Sequence, residues 1–229
     1  MLIALLFGSL SLAFGAWTVK LGLLGLPLLW PAGASGWVGL AYALNKPAMV
    51  GKRADGSLPW PLVVACLPVL LGLWGRWHTL RLLKIEDPWV RVAPGLWLGR
   101  RPLAGELPPD VELVVDLTVE WHRAPGVGAL PHRWLRCLDG MPFDDLEALR
   151  ALVDDLSDDV RPMYVHCAAG HGRSALVIAA LMVRRGLAAT PRDAVARLKA
   201  LRPRVHITRG QFRQLAAVAT ATKGPPPGP

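Results

Sequence analysis

Hydrophobic positions change period along the chain, and the change divides it. From Met1 to Ala16 almost every residue is apolar. After Trp17-Thr18-Val19-Lys20 a second apolar stretch runs from Leu21 to about Leu44, broken by Pro27 and Pro31. A third runs from about Leu58 to Gly75, with Pro59, Pro61 and Pro68, and turns amphipathic through Trp74–Lys84. Each approaches the roughly 20 residues a helix needs to cross a bilayer. Tryptophans beside arginines, as at Trp74, Arg76, Trp77 and Arg81, are what a membrane–water boundary selects. Residues 1–84 therefore predict an α-helical membrane region with two or three transmembrane or interfacial helices. A cleaved signal peptide is the plainer reading of the start, with Ala13-Phe14-Gly15 as a small-residue site. The absence of a basic leading segment and the apolar sequence that follows at once favour retention.

From residue 85 the pattern is that of a layered α/β domain. Val90–Gly99 alternates like a strand pair with a turn at Pro94-Gly95. Val111–Leu117 reads as a buried strand, and Trp134–Leu138 as another ending at Asp139-Gly140. Phe143 onward is helical, with Leu146, Leu149, Leu152, Val153 and Leu156 on one face and Asp144 with Glu147 at capping-box spacing. Pro162–Val165 predicts a buried strand and Ala175–Val183 a helix, with a small-residue loop between them. Thr190 as N-cap with Pro191 at the first position starts a further helix, and a last one spans about Arg209 to Ala221. Strands alternating with helices predict a central mixed sheet flanked by helices over 85–222. The Gly/Pro-rich residues 223–229 predict a disordered tail.

Charge follows the same division. Of the net +9, residues 1–84 carry seven Lys/Arg and the one acid Asp55; residues 85–229 carry nineteen Lys/Arg and sixteen acids. The excess therefore flanks apolar segments, as at a membrane surface, and no aromatic-studded basic stripe points to nucleic acid. If all three stretches span, a cytoplasmic C-terminal domain leaves Lys46, Lys52 and Arg53 outside, against the positive-inside tendency. If the third is interfacial, that loop and the domain share the inner side. Both topologies stay open. The three cysteines, Cys66, Cys137 and Cys167, have no metal-ligand spacing, and a reduced cytosolic setting suits a working thiolate.

The chemistry is concentrated in His166-Cys167-Ala168-Ala169-Gly170-His171-Gly172-Arg173-Ser174. A strand–loop–helix context puts Cys167 where inward N–H groups and the positive end of a helix dipole bind anions and favour a thiolate. Arg173 closes the loop with a planar fork suited to phosphate. Gly170 and Gly172 let the backbone curl. A structural cysteine before a helix is the bland alternative, and it leaves the His, both glycines, the Arg and the Ser unexplained.

Residues from about 90 to 215 resemble a dual-specificity-type cysteine phosphatase of the protein-tyrosine-phosphatase superfamily, whose signature is His-Cys, five residues, Arg, then Ser or Thr. Val92–Gly99, Val114–Thr118 with Glu120, and Arg202-Pro203-Arg204-Val205 with Gln211 are weaker matches in the family's order. The resemblance implies that Cys167 forms a phosphocysteine, Arg173 grips phosphate oxygens, and the 168–173 amides (Ala168, Ala169, Gly170, His171, Gly172 and Arg173) bind the anion. It further implies that Ser174 eases departure of the sulfur and that His166 braces the loop. The family's general acid lies roughly 30 residues before the cysteine. Asp139, 28 residues before Cys167 at a strand end, is the choice over Asp144 and Asp145. No metal or cofactor is expected.

Three functions compete. The first is a membrane-anchored phosphatase of phosphotyrosine, phosphoserine or phosphothreonine in proteins. The second takes a phospholipid headgroup, such as phosphatidylglycerophosphate or a phosphoinositide. The third is a non-catalytic phosphate-binding adaptor, which intact Cys167 and Arg173 argue against. Arg184, Arg185, Arg192, Arg197, Lys199, Arg202 and Arg204 would serve anionic lipid if they shared a surface. Loops that handle inositol lipids often carry extra lysines, whereas this one has Ala168 and His171. Cys137, close in sequence to Asp139, is either a redox partner for Cys167 or a packed core cysteine, the latter being the plainer reading.

Overall fold

The computed structural model describes residues 2–220, so the 223–229 tail lies outside the described residues. The chain divides into two compact units. One runs to Glu86 and takes in Val119–Arg123; the other comprises Asp87–Thr118 and the chain from Ala124 on.

In the first unit, α1 (Leu2–Leu21) is followed by a 3-10 stretch (Gly22–Leu28), α2 (Leu29–Ala43) and α3 (Trp60–Leu82). The chain reverses at Gly22, whose φ is +57°. A Cβ on Gly25 would stand 2.5 Å from the Thr18 carbonyl oxygen, and one on Gly39 only 3.3 Å from the Gly8 nitrogen. Helices α1 and α2 therefore form an antiparallel hairpin whose backbones approach through small residues, the packing that works in lipid. Pro31 falls in the first turn of α2, where a missing N–H costs nothing. Helix α3 runs unbroken through both the apolar and the amphipathic stretch. Its Trp74 and Trp77 cluster with Trp121, and the Trp74 indole N–H donates to the Glu120 carbonyl at 3.2 Å. Two segments, Leu2–Ala43 and Trp60–Leu82, are long and apolar enough to cross a membrane. Among the described residues, every exposed large apolar side chain except Val160, Leu187 and Leu201 belongs to this unit.

The second unit is built on a five-stranded mixed sheet of order β1-β2-β5-β3-β4. Strands β1 (Trp89–Ala93) and β2 (Leu96–Arg100) pair antiparallel around the Pro94-Gly95 turn, while β2, β5 (Met163–Cys167), β3 (Leu113–Asp116) and β4 (His132–Trp134) run parallel. Side chains alternate between the faces, as the two-residue period demands. Leu113, Val115, Met163 and Val165 join the core built on α5 (Arg173–Arg184), while Val114 and Tyr164 join a second cluster with Trp97, Ala124 and Val127. Every residue of α5 from Arg173 to Met182 is buried, for α4 (Leu146–Asp158), α6 (Pro191–Leu201) and α7 (Arg209–Ala219) pack around it.

Two local expectations are corrected. The strand expected at Trp134–Leu138 is β4, three residues long at His132–Trp134. Leu135 still donates to the Asp116 carbonyl, but the Cys137 carbonyl is taken by the Arg173 guanidinium, which draws the chain out of the sheet. The cap of α4 is Asp145 rather than Asp144: its carboxylate accepts from the Ala148 N–H at 2.9 Å, so the Asp144–Glu147 capping box does not form. Thr190 caps α6 as expected, with Pro191 in its first turn.

Candidate active site

Parallel strands β2, β5 and β3 end together, and the loop from Cys167 to Arg173 leaves the central one at that edge, where ligands sit in open α/β sheets. Cys167 is buried, and two donors point at its sulfur: the Gly170 N–H at 3.2 Å and the Ser174 hydroxyl at 3.3 Å. That is the environment an attacking, and later departing, thiolate requires.

The loop's carbonyls are tied outward. Ala168 accepts from the Arg101 N–H at 3.2 Å, Ala169 from the Arg202 guanidinium at 3.2 Å, and His171 from the His206 N–H at 3.0 Å. Fixing those carbonyls sets the peptide planes, and the Gly170 N–H turns inward to the sulfur. Gly170 has φ +78°, and a Cβ there would stand 2.6 Å from the Gly99 carbonyl carbon, so loop and β2 touch backbone to backbone. Arg202 also donates to the Asp87 carbonyl at 3.0 Å, linking the loop to the chain before β1. The sequence match at Arg202 and Gln211 carried no role; both are buried supports of this site.

Arg173 is fully buried. One terminal nitrogen donates to the carbonyls of Leu117 at 3.3 Å and Cys137 at 2.8 Å; the other meets the Asp139 carboxylate at 3.0 Å. Strand β3 and the segment after β4 thus fix the guanidinium plane, and Asp139, 61% exposed, stands at its open edge. Asp145 caps α4, and Asp139 contacts Arg173. His166 is buried and stacks on Tyr164 with centroids 5.7 Å apart; its Nδ1 lies 3.4 Å from the Cys167 carbonyl. The Tyr164 hydroxyl donates to the Arg100 carbonyl at 2.5 Å, and burial pushes its pKa up, so it keeps that proton. The Cys137 thiol points to the carbonyls of Leu138 and Met141, both at 3.4 Å.

Most of the basic residues that might have met anionic lipid are engaged within the unit. Arg184 holds Asp154 at 2.7 Å and the Val218 carbonyl. Arg185 closes the end of α4 through the Leu156 and Asp159 carbonyls. Arg197 pairs with Asp193 at 3.0 Å, and Arg202 is buried.

A Cys-x5-Arg loop between the central strand and a buried helix, with a carboxylate at the arginine, defines a cysteine-dependent phosphatase. The chain carries a catalytic domain of the dual-specificity type, within the protein-tyrosine-phosphatase superfamily: residues 139–221 match the family model "Dual specificity phosphatase, catalytic domain". Among solved structures, PTPMT1 in complex with PI(5)P is similar at 21% identity over 58% of this chain and 95% of its own, with a TM-score of 0.50. The human tyrosine phosphatase-like serine/threonine/tyrosine-interacting protein is similar at 18% identity over 57% and 94%, with a TM-score of 0.50. Human DUSP28 is 27% identical over 59% and 95%, with a TM-score of 0.43. No curated protein matches the chain in sequence.

Proposed function

We propose that the chain is a membrane-anchored phosphatase that hydrolyses phosphomonoesters of proteins through a phosphocysteine. The observation that carries this reading is the Cys167 sulfur held by two donors, with buried Arg173 six residues on. The Cys167 thiolate attacks phosphorus while the bond to the leaving oxygen breaks. Arg173 and the loop amides from Ala168 to Arg173 take the non-bridging oxygens, whose charge grows most in the transition state. An entering phosphate competes with Asp139 for the open edge of Arg173, which leaves that carboxyl beside the departing oxygen to supply its proton. In the second step water attacks phosphorus and gives a proton to Asp139. The sulfur departs as thiolate, eased by the Ser174 hydroxyl, while His166 braces the loop.

Three observations support the membrane anchor: two apolar helical segments of sufficient length, a glycine-packed hairpin, and large apolar side chains exposed almost entirely in the first unit. A working thiolate is best served by a reducing setting, which supports a cytoplasmic side for the catalytic unit. Protein substrates fit a loop without lysines and a surface whose arginines are mostly engaged. A phospholipid headgroup is the second reading, favoured by the anchor, which concentrates the enzyme at lipid, and by similarity to a protein solved with PI(5)P.

The test is Cys167→Ser in the full chain. It is expected to abolish turnover of an aryl phosphate with the fold intact, and to trap phosphoprotein when recovered from membranes. Retained turnover overturns the mechanism; co-purifying phospholipid moves the assignment to the second reading.

A further inference from the structure

The segment that carries Asp139 is held at both ends. On its near side the Arg173 guanidinium takes the Cys137 carbonyl at 2.8 Å. On its far side two glutamines of α7 take the backbone that follows. The Gln211 amide N–H donates to the Met141 carbonyl at 2.9 Å. Gln214 grips one residue twice, donating to the Phe143 carbonyl at 2.8 Å and accepting from its N–H at 2.9 Å. Between them, Gly210 brings α7 against Pro142, where a Cβ would stand 3.4 Å from the ring. Phe143 itself is 3% exposed.

Gln211 also belongs to two other parts of the site. Its Oε1 accepts from the Thr208 N–H at 3.0 Å, and the Thr208 hydroxyl accepts from the Gln211 N–H at 3.3 Å, a reciprocal capping box at the start of α7. Its amide lies 3.5 Å from where a Cβ on Gly172 would stand, beside the anion loop. One fully buried side chain thus bonds the acid segment and the helix start and lies beside the loop.

We propose that Gln211 and Gln214 are positioning residues that hold Asp139 at a fixed reach from the Cys167 loop, so that the proton donor is preorganised and no loop has to close to deliver it. The proposal rests on the reading of Asp139 as general acid. Its physical basis is that buried hydrogen bonds to backbone fix a segment more tightly than surface contacts do, and that a catalytic group misplaced by about 1 Å costs on the order of a hundredfold in rate.

The variant that isolates the clamp is Gln211→Glu. A glutamate keeps the acceptor half of the capping box but turns a carboxylate oxygen toward the Met141 carbonyl in place of a donor. The full-length enzyme is assayed on aryl phosphates of increasing leaving-group pKa. The expected result is a loss of about tenfold or more in kcat on phenyl phosphate, about threefold or less on an activated nitrophenyl ester, and an unchanged KM. Hydrogen exchange over 139–143 is expected to be slow in the wild type and faster in the variant, with α5 unchanged. Where Gln211→Glu does not fold, Gln214→Leu removes both bonds to Phe143 without adding charge and carries the same readouts. Equal losses on all esters, or rapid exchange of 139–143 in the wild type, overturn the clamp. Asp139→Asn on the same esters separates the two failures. A flat response there removes Asp139 as the acid, and the proposal with it; a steep response beside a flat Gln211→Glu removes the clamp alone.

Discussion

Gly170 shows how little room the anion loop has. Its φ of +78° is one that side chains with a Cβ rarely adopt, and the nearest atoms to a new Cβ are the backbone of Gly99 and Arg100 at 2.6–2.9 Å. Neither neighbour can rotate away, because β2 is paired to β5 at Gly99 and Arg100. Gly170→Ala is therefore expected to cost at least about 2 kcal/mol, from the backbone conformation and the clash together. It also displaces the N–H that reaches the Cys167 sulfur. Thermal unfolding and aryl phosphatase activity check both halves, and a variant with wild-type stability would contradict this account of the loop. The side chains gathered at this loop were legible in the sequence, because a cysteine, two glycines and an arginine at fixed spacing need one another. The partners of Arg173 were not, since two are the backbone carbonyls of Leu117 and Cys137 and any residue offers a carbonyl. Gln214 and the contacts of Gln211 escaped for a related reason: their amides act on the backbone of residues about 70 positions away.

Among the elements, the strands and helices of the second unit could be read from apolar period, and both errors fell at ends, where long-range bonds decide. Helix α4 illustrates this at its other end too. Arg185 takes the Leu156 and Asp159 carbonyls, and the Asp159 carboxylate accepts from the Arg161 N–H at 3.0 Å and its Nε at 2.9 Å. The Arg161 side-chain bond first, aided by the backbone bond, holds the Asp159 carboxyl down to about 2. A carboxyl lowered in the folded state contributes stability above its unfolded value near ~4, and that contribution is lost as pH falls toward 2. Because the Arg161 side chain is 36% exposed, the contribution is expected to be a few tenths to about 1 kcal/mol. Asp159→Asn should lower the unfolding midpoint at neutral pH and flatten its decline between pH 4 and 2. A decline as steep as that of the wild type would place the acid sensitivity elsewhere.

For the whole molecule, the open question from sequence was how many times the first unit crosses a bilayer. The hairpin bears on it through its length. At 1.5 Å per residue, the 20 residues of α1 extend about 30 Å, the thickness of a hydrocarbon core. Helix α2, lengthened by the 3-10 stretch before it, returns along α1, and the 23 residues of α3 are long enough for a third pass. Three passes put Lys20, at the hairpin tip, on the same side as Arg76, Arg81 and Lys84, and leave Lys46, Lys52 and Arg53 opposite. That division nearly balances the cations, which is why charge alone did not choose a topology. The full chain is expected to stay with membranes through an alkaline carbonate wash. A single cysteine introduced at Gly22, in a chain with Cys66, Cys137 and Cys167 replaced by Ser, should react with an impermeant maleimide only from the catalytic side, and one at Ala54 only from the other. Release by carbonate would remove the anchor. Labelling of Ala54 from the catalytic side and of Gly22 only from the other would make α3 interfacial and return the 44–59 loop to the inner face, satisfying the positive-inside tendency that three passes leave strained.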